Sequence, residues 1–302
     1  MRTSAPSGGP PTVTVGVDLG GTGTRIVALG NDGEVVRQAT TPTAAGIRPA
    51  QAISGLADAI IEATAGLQIR GIGIGATGPV DAQGIIQNPD TLPAFSNVPI
   101  ASILTDRLGA PCAIDNDAVA AAVGEHTYGA GRGSTGLLVI TLGTGVGVAA
   151  LTRGRPVRGA DGSHPEAEHI AISGPAAPCY CGLPTCWEQL ASRTALSQLA
   201  AGQIHELADK ARGGDAAASQ VFGTYGERVG AGLMTLLTIF RPDRVIIGGS
   251  AAQFSDLFEH GLHRSLDRAA RYSWTPALAT AELGNLSGAI GAAVIARPDR
   301  QW

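Results

Sequence analysis

The chain has 302 residues, 44% hydrophobic, 15% charged and 4% aromatic, with a formal net charge of −4. That length is more than one hydrophobic core usually serves, so two lobes are expected. No Lys/Arg run or basic stripe is present, which argues against nucleic-acid binding, and no apolar run approaches the ~18 residues of a membrane span.

Residues 1–12 are rich in Pro, Gly and Ser and read as a disordered tail without the apolar core of a secretory signal. Val13, Val15 and Val17 then alternate with small or polar residues, a strand that runs into Asp18-Leu19-Gly20-Gly21-Thr22-Gly23. Arg25 to Leu29 reads as a second strand, Asn31-Asp32-Gly33 as a hairpin turn and Glu34 to Gln38 as a third strand. The opening is therefore an antiparallel meander, not the strand–loop–helix of a dinucleotide fold. Ile53, Leu56, Ala57, Ile60 and Ile61 follow helical spacing and predict one buried face. Ile72 and Ile74 mark a strand ending at Thr77-Gly78-Pro79, and residues 87–99 form a long loop. A short helix is expected over Ile100 to Leu108. The strand Pro111 to Asp115 delivers Asn116 and Asp117 to an Ala-rich helix, Ala118 to Gly124.

The pattern then restarts. Leu137 to Leu142 is an apolar strand running into Gly143-Thr144-Gly145-Val146-Gly147, followed by a strand over Val148 to Leu151 and a turn at Arg153-Gly154-Arg155. Two such openings imply a duplication, with a cleft between two related lobes. A long helix from Glu227 to Phe240 is stopped by Arg241-Pro242-Asp243. The strand Arg244 to Ile247 ends at Gly248-Gly249-Ser250, and a small-residue helix covers Ser287 to Ala296.

Gly-rich turns after strands suit phosphates, because backbone without Cβ atoms can approach an anion and aim successive N–H groups at it. One Gly-Thr-Gly turn alone is more often a plain hairpin. Two at the start of matching halves, one carrying Asp18, point to a phosphate ligand with a cation beside the carboxylate. Neither turn is a Walker A loop, and Arg25 is the one strongly basic residue close to either in sequence. Asn116-Asp117 alone reads as a helix N-cap. Cys179, Cys181 and Cys186, in a loop with Pro178, Gly182 and Pro184, form with His169 a possible His-Cys₃ set of the kind that holds structural zinc. Clustered cysteines also occur as buried thiols. Cys112 reads as a small hydrophobe in a strand, and the cysteine usage fits a reducing, cytoplasmic setting.

These residues resemble the repressor/ORF/kinase (ROK) family of sugar kinases, within the actin–hexokinase superfold. Asp18 to Thr22 resembles its first phosphate motif, Asn116-Asp117-Ala118 its catalytic motif, and Gly129 to Gly133 the segment that follows. Thr141 to Gly147 resembles its second phosphate motif, and Pro242 to Gly249 the strand and turn beside the adenosine. No helix-turn-helix fits before Val13, so the resemblance is to the kinase branch.

The resemblance implies a two-lobed α/β fold of the actin/hexokinase-like, ribonuclease H-like duplicated type, with a zinc-binding loop over 169–186. The small lobe would hold 13–115 with 285–302, and the large lobe 116–284. It implies ATP-dependent phosphorylation of a hexose in carbohydrate metabolism. Asp117 would act as general base, and Gly78, Asn116, Glu166, His169 and Glu188 would join it around the sugar. Asp18, Gly20, Gly21, Thr22, Thr141, Gly143, Thr144, Gly145, Gly248 and Gly249 would surround Mg²⁺-ATP. His169, Cys179, Cys181 and Cys186 would hold a structural Zn²⁺, and a cytoplasmic homodimer without nucleic-acid or membrane partners is implied. Closure of the lobes would exclude water.

The sequence departs from the family pattern at Glu168, where Gly usually precedes the His, at Gly23 for Lys, and at Asn285 for Asp. His164-Pro165-Glu166 resembles the family's fructokinases, whereas Cys181-Gly182 and Cys186-Trp187-Glu188 resemble its glucokinases. The sugars therefore rank as glucose, then fructose or mannose, then an N-acetylhexosamine. ATP and polyphosphate both stand as donors. The rival readings are a non-catalytic sugar sensor, which has no need of a base, and an actin- or acetate-kinase-like ATPase, which has no need of the cysteine loop.

Overall fold

Val13, Val15 and Val17 are fully buried in β1 (Thr12–Leu19). The computed structural model describes residues 10–175, 178–269 and 276–297. Of the expected tail, residues 1–9 lie outside that set, and Thr12 already opens the first strand.

β2 (Gly23–Leu29) and β3 (Val35–Pro42) complete the antiparallel meander. In α1 (Pro49–Ala63) the expected face is buried at Ile53, Leu56, Ala57 and Ile60, but Ile61 lies at its border and is half exposed. β4 (Gln68–Ala76) returns parallel to β1. α2 (Ile100–Leu108) ends at Gly109 in the left-handed conformation, φ 67°, which glycine adopts without a Cβ clash. β5 (Cys112–Asn116) pairs parallel with β4 and leads directly into α3 (Asp117–Tyr128).

The second half contains β6 (Gly136–Leu142), β7 (Val146–Thr152) and the short β8 (Arg155–Pro156). Four helices follow: α4 (Trp187–Ala191), α5 (Arg193–Leu199), α6 (Ile204–Arg212) and α7 (Ala216–Phe240). Then come β9 (Arg244–Gly248), α8 (Ser255–Ala269), β10 (Ala277–Thr280) and α9 (Ser287–Ile295). The first sheet has the order β3-β2-β1-β4-β5 and the second β10-β9-β6-β7-β8. Read from β3 to β5, the first sheet has two antiparallel pairings followed by two parallel ones, and the second sheet read from β8 to β10 has the same series. The duplication expected from the two Gly-rich turns is therefore a duplication of sheet topology.

α7 corrects one boundary, since it starts at Ala216 rather than Glu227. Asp215 caps it by accepting from the Ala218 amide at 2.8 Å, and Ala218, Phe222 and Tyr225 continue its buried face.

The chain divides into two compact units, Met1–Thr127 with Ala160–Ser163 and Leu286–Trp302, and Tyr128–Gly159 with His164–Asn285. In the first, the small residues of α9 serve close packing. A Cβ at Gly16 of β1 would stand 1.8 Å from the Ala289 carbonyl oxygen, and one at Gly73 of β4 1.8 Å from that of Ala292. Backbone thus lies on backbone. α9 also holds α3, because the Ser287 hydroxyl donates to the buried Glu125 carboxylate at 2.7 Å. In the second unit Trp187, Phe222, Tyr225, Phe254 and Phe258 fill the core. Trp187 lies against Gly232, where a Cβ would sit 2.2 Å from its ring, and its indole N–H donates to the Arg228 carbonyl at 3.0 Å. That anchor fixes Cys186 and Glu188 on either side.

Candidate active site

In the first unit the turn after β1 closes with the Gly20 amide donating to the Gly23 carbonyl at 3.2 Å, and the Thr43 hydroxyl donates to the Gly20 carbonyl. Asp18, near the end of β1, accepts from the Arg25 guanidinium at 3.2 Å. Burial pushes its carboxyl above the ordinary value, against the pull of Arg25. Arg25 is therefore paired with Asp18 through one nitrogen of its guanidinium.

Asn116 and Asp117 divide two jobs that the sequence leaves undivided. Asn116 Oδ1 accepts from the amides of Ala118 and Val119 at 2.8 and 3.2 Å, so Asn116 caps α3. Its Nδ2 donates to the Gly78 carbonyl at 3.0 Å. Asp117 Oδ2 accepts from the Thr77 hydroxyl at 2.8 Å, and its Oδ1 lies 2.8 Å from the Ala118 amide. Thr77 is held in turn, its carbonyl accepting from Asn88 Nδ2 at 3.0 Å. Gly78 has φ +91°, and a Cβ there would meet Asn88 Nδ2 at 2.4 Å. The tightness of this corner requires glycine.

In the second unit the turn between β6 and β7 closes with the Gly143 amide donating to the Gly145 carbonyl at 2.9 Å. Gly248 pairs with Thr141 across the sheet, and a Cβ at Gly249 would stand 2.5 Å from the Leu142 amide nitrogen. Thr141, Gly143, Thr144, Gly145, Gly248 and Gly249 are thus brought to one end of this sheet. Glu188 reaches the same turn. Its Oε2 accepts from the Val146 amide at 3.3 Å, and a Cβ at Gly145 would lie 2.5 Å from that oxygen.

His169, Cys179, Cys181 and Cys186 converge, one ligand atom from each lying within 4.8 Å of all the others. His169 Nδ1 is 3.6 Å from Cys179 Sγ and 3.7 Å from Cys186 Sγ. Donors around zinc at bond lengths of ~2.0–2.3 Å stand ~3.5–3.8 Å apart in a tetrahedron, so the donor set suits that ion in chemistry and His169 Nδ1 stands at that spacing from two of the three sulfurs. A bridge between Ala171 and Cys186, and the Trp187 amide donating to the Ile170 carbonyl at 3.0 Å, tie the histidine segment to the cysteine loop. His169 Nε2 is left facing the Tyr180 hydroxyl at 2.8 Å.

Beside the histidine lies a second group. His164 Nε2 is 3.5 Å from Glu166 Oε1, and the Glu168 carboxyl joins them, one donor atom from each lying within 4.8 Å of the others. Glu168 is 6% exposed. Burial, then the neighbouring charge of Glu166, pushes its carboxyl up to about 10. A protonated Glu168 is the form that lets two carboxyl groups share this space.

Three residues with a place here escaped the sequence reading. Thr77 was visible only as a strand end, Tyr180 only as a spacer between cysteines, and Arg193 lies far from either turn in sequence. The Arg193 amide donates to the Gly143 carbonyl at 2.8 Å.

A duplicated α/β fold, with a Gly-rich turn opening each half and a carboxylate held at a helix start, is the architecture of the sugar kinases. Residues 14–299 match the ROK family. The glucokinase of Thermotoga maritima is 30% identical over 269 residues, covering 82% of this chain and 85% of that protein. The crystal structure of a ROK family glucokinase from Streptomyces griseus in complex with glucose and AMPPNP is similar with a TM-score of 0.80 and 30% identity, covering 94% of this chain and 99% of that one. The ROK hexokinase from Thermus thermophilus gives 0.78 and 32%, covering 94% and 97%. The chain belongs to the ROK family, as one of its sugar kinases. No helix among the described residues is long and apolar enough to cross a membrane.

Proposed function

We propose that this chain transfers the γ-phosphoryl group of ATP to a hydroxyl of a hexose, with glucose ahead of fructose or mannose and of an N-acetylhexosamine. The observation that carries the reading is the division of labour at the start of α3. Asn116 accepts from the amides of both Ala118 and Val119, so the Asp117 carboxylate is not needed as the cap; it shares only the Ala118 amide through Oδ1, and its Oδ2 is oriented by Thr77. A carboxylate fixed by its neighbours and able to accept further hydrogen bonds is what a general base requires. Glucose comes first because the Thermotoga relative is a glucokinase and the Streptomyces structure contains glucose.

In this mechanism Asp117 accepts the proton of the sugar hydroxyl while that oxygen bonds to the γ-phosphorus. The bond from phosphorus to the β–γ bridging oxygen breaks, and ADP leaves. Asn116, Glu166, His169 and Glu188 hold the remaining hydroxyls, as paired acceptors and donors suit vicinal diols, and Gly78 contributes through its carbonyl, which holds the Asn116 amide. The turns Gly20–Thr22 and Thr141–Gly145 present backbone amides and threonine hydroxyls to the phosphates, and Gly248 and Gly249 flank the nucleoside.

The carboxylate of Asp18 and the hydroxyl of Thr22 are oxygen donors that suit Mg²⁺, which supplies charge neutralisation on the phosphates when bound. His169 and the three cysteines would hold Zn²⁺, whose contribution is to fix the loop that carries Glu188. The family resemblance also points to a cytoplasmic homodimer, which sedimentation would test.

The deciding experiment is ADP release with Mg-ATP over a panel of hexoses, repeated with polyphosphate as donor and with Asp117→Asn. Sugar-dependent ADP release that vanishes in the variant supports the reading. Tight sugar binding with no ADP release would favour the non-catalytic sensor.

A further inference from the structure

We propose that Arg193 is a phosphate-binding residue, its guanidinium supplying the positive charge for the polyphosphate chain that the Gly143–Gly145 turn receives. The inference rests on the reading of that turn as a phosphate site. Three observations support it.

The first is placement. Ser192 caps α5 by accepting from the Ala195 amide at 3.2 Å. The next two residues then bond to successive carbonyls of the turn. The Arg193 amide donates to Gly143 at 2.8 Å, and the Thr194 hydroxyl donates to Thr144 at 2.7 Å. Arg193 is therefore fixed on the turn by its own backbone, although fifty residues separate the two in sequence.

The second is the state of the turn. The carbonyls of Gly143 and Thr144 are taken by α5, and that of Gly145 by the Gly143 amide. The Val146 amide is taken by Glu188. The amides of Thr144 and Gly145 have no protein partner among the described residues, and Thr144 is exposed. A turn with its acceptors consumed and two successive donors unused is arranged for an anion.

The third is the charge balance. Arg193 Nε is buried and has no hydrogen-bond partner, and no carboxylate lies within ion-pair distance of Arg193 among the described residues. A guanidinium is always charged and its buried N–H groups are normally satisfied. Arg25, the cation near the first turn, is already paired with Asp18. A cation without an ion-pair partner, on a residue whose backbone is bonded to a turn with two unused amides, lacks an anion, and the planar guanidinium matches phosphate oxygens.

The shared ligand chemistry is a chain of phosphates, from a nucleoside triphosphate or from inorganic polyphosphate. Calorimetry on the full chain would measure binding of Mg-AMPPNP, AMP, inorganic polyphosphate and, in separate titrations, glucose to wild type, Arg193→Gln, Arg193→Lys and Thr144→Val, with Tm taken for each protein. Arg193→Gln is expected to weaken AMPPNP about 10-fold or more, as for loss of a charge-assisted bond. AMP should change by less than about 2-fold, glucose affinity and Tm should stay unchanged, and Arg193→Lys should recover part of the loss. Whether polyphosphate binding falls in parallel decides which source of phosphate the site takes. Unchanged AMPPNP affinity in Arg193→Gln, or an equal loss for AMPPNP, AMP and glucose with a lower Tm, would overturn the proposal. If Thr144→Val weakens AMPPNP while Arg193→Gln does not, the turn keeps its role and only Arg193 loses one. If neither variant changes it, both readings fall.

Discussion

The Thr77 hydroxyl donates to Asp117 Oδ2 at 2.8 Å, joining the end of β4 to the first residue of α3. Strand and helix are fixed in one unit by a corner that only glycine fits at position 78. One oxygen of the carboxylate, Oδ2, is therefore oriented from outside its own helix, while Oδ1 takes the Ala118 amide. Asp117→Asn is expected to lower kcat by roughly 10²–10⁴-fold, the range of a lost general base. Its unfolding free energy should stay within about 0.5 kcal/mol of wild type, because Asn116 does the capping. Thr77→Val should lower kcat less, since it removes one orienting bond and leaves the base. Steady-state kinetics with urea unfolding checks both, and an Asp117→Asn enzyme with normal kcat would refute the assignment.

Glu168 gives a prediction in pH. Its carboxyl is pushed up to about 10 in the folded protein, first by burial and then by Glu166, whereas an unfolded glutamate titrates near ~4.3. Between those values the folded state holds a proton that the unfolded state has lost. Stability from this group is therefore complete below pH ~4 and falls as pH rises towards 10. Glu168→Gln, which keeps the shape and cannot ionise, should gain Tm relative to wild type steadily from pH 5 to 9. Parallel melting curves for the two proteins across that range would disprove a protonated Glu168.

Tyr180 occupies the ring nitrogen of His169 that points away from the cysteines, at 2.8 Å. If His169 is to hold a sugar hydroxyl through Nε2, the phenol must yield that bond. Tyr180→Phe removes the competitor, a bond worth about 0.5–1.5 kcal/mol. The expected result is a KM for the sugar lower by a few-fold, with kcat and the KM for ATP unchanged. A higher sugar KM would mean that Tyr180 itself contacts the sugar.

How much of this was legible in the sequence depended on how local each feature is. The strand, Gly-rich turn and second strand at Val13–Leu29 and Leu137–Leu151 are written in adjacent residues, and both appeared where expected. α2 was readable to its ends, because Pro99 and Gly109 punctuate it. α7 was half missed because Gly223 and Gly226 interrupt its early turns. Those glycines are there for α8, since a Cβ at Gly226 would stand 2.0 Å from the Phe258 carbonyl oxygen. Asp117 was legible as a residue, but its separation from the capping role was not, because that depends on Thr77 forty residues away. Arg193 was hidden for the same reason, and at Glu166 and Glu168, neighbours in sequence, what was hidden is the burial the fold gives Glu168. Asp117 and Arg193 acquire their meaning from partners that the fold brings to them.

The cysteine loop provides the last test. Cys186 and Glu188 flank Trp187, which is fully buried against α7, and Glu188 meets the Gly145 turn. A metal at His169, Cys179, Cys181 and Cys186 would therefore stabilise the loop on one side of Trp187 and the position of Glu188 on the other. Structural zinc contributes directly to folding free energy. Prolonged chelation, or Cys181→Ser, should lower Tm and weaken sugar binding together. AMP affinity should change little, because Gly248 and Gly249 are set by β6 and β9 rather than by the loop. Elemental analysis should find about one zinc per chain in wild type and markedly less in Cys181→Ser. A metal-free protein with wild-type sugar affinity would separate the loop from the sugar site, and the spacing of these four donors would then have no part in substrate binding.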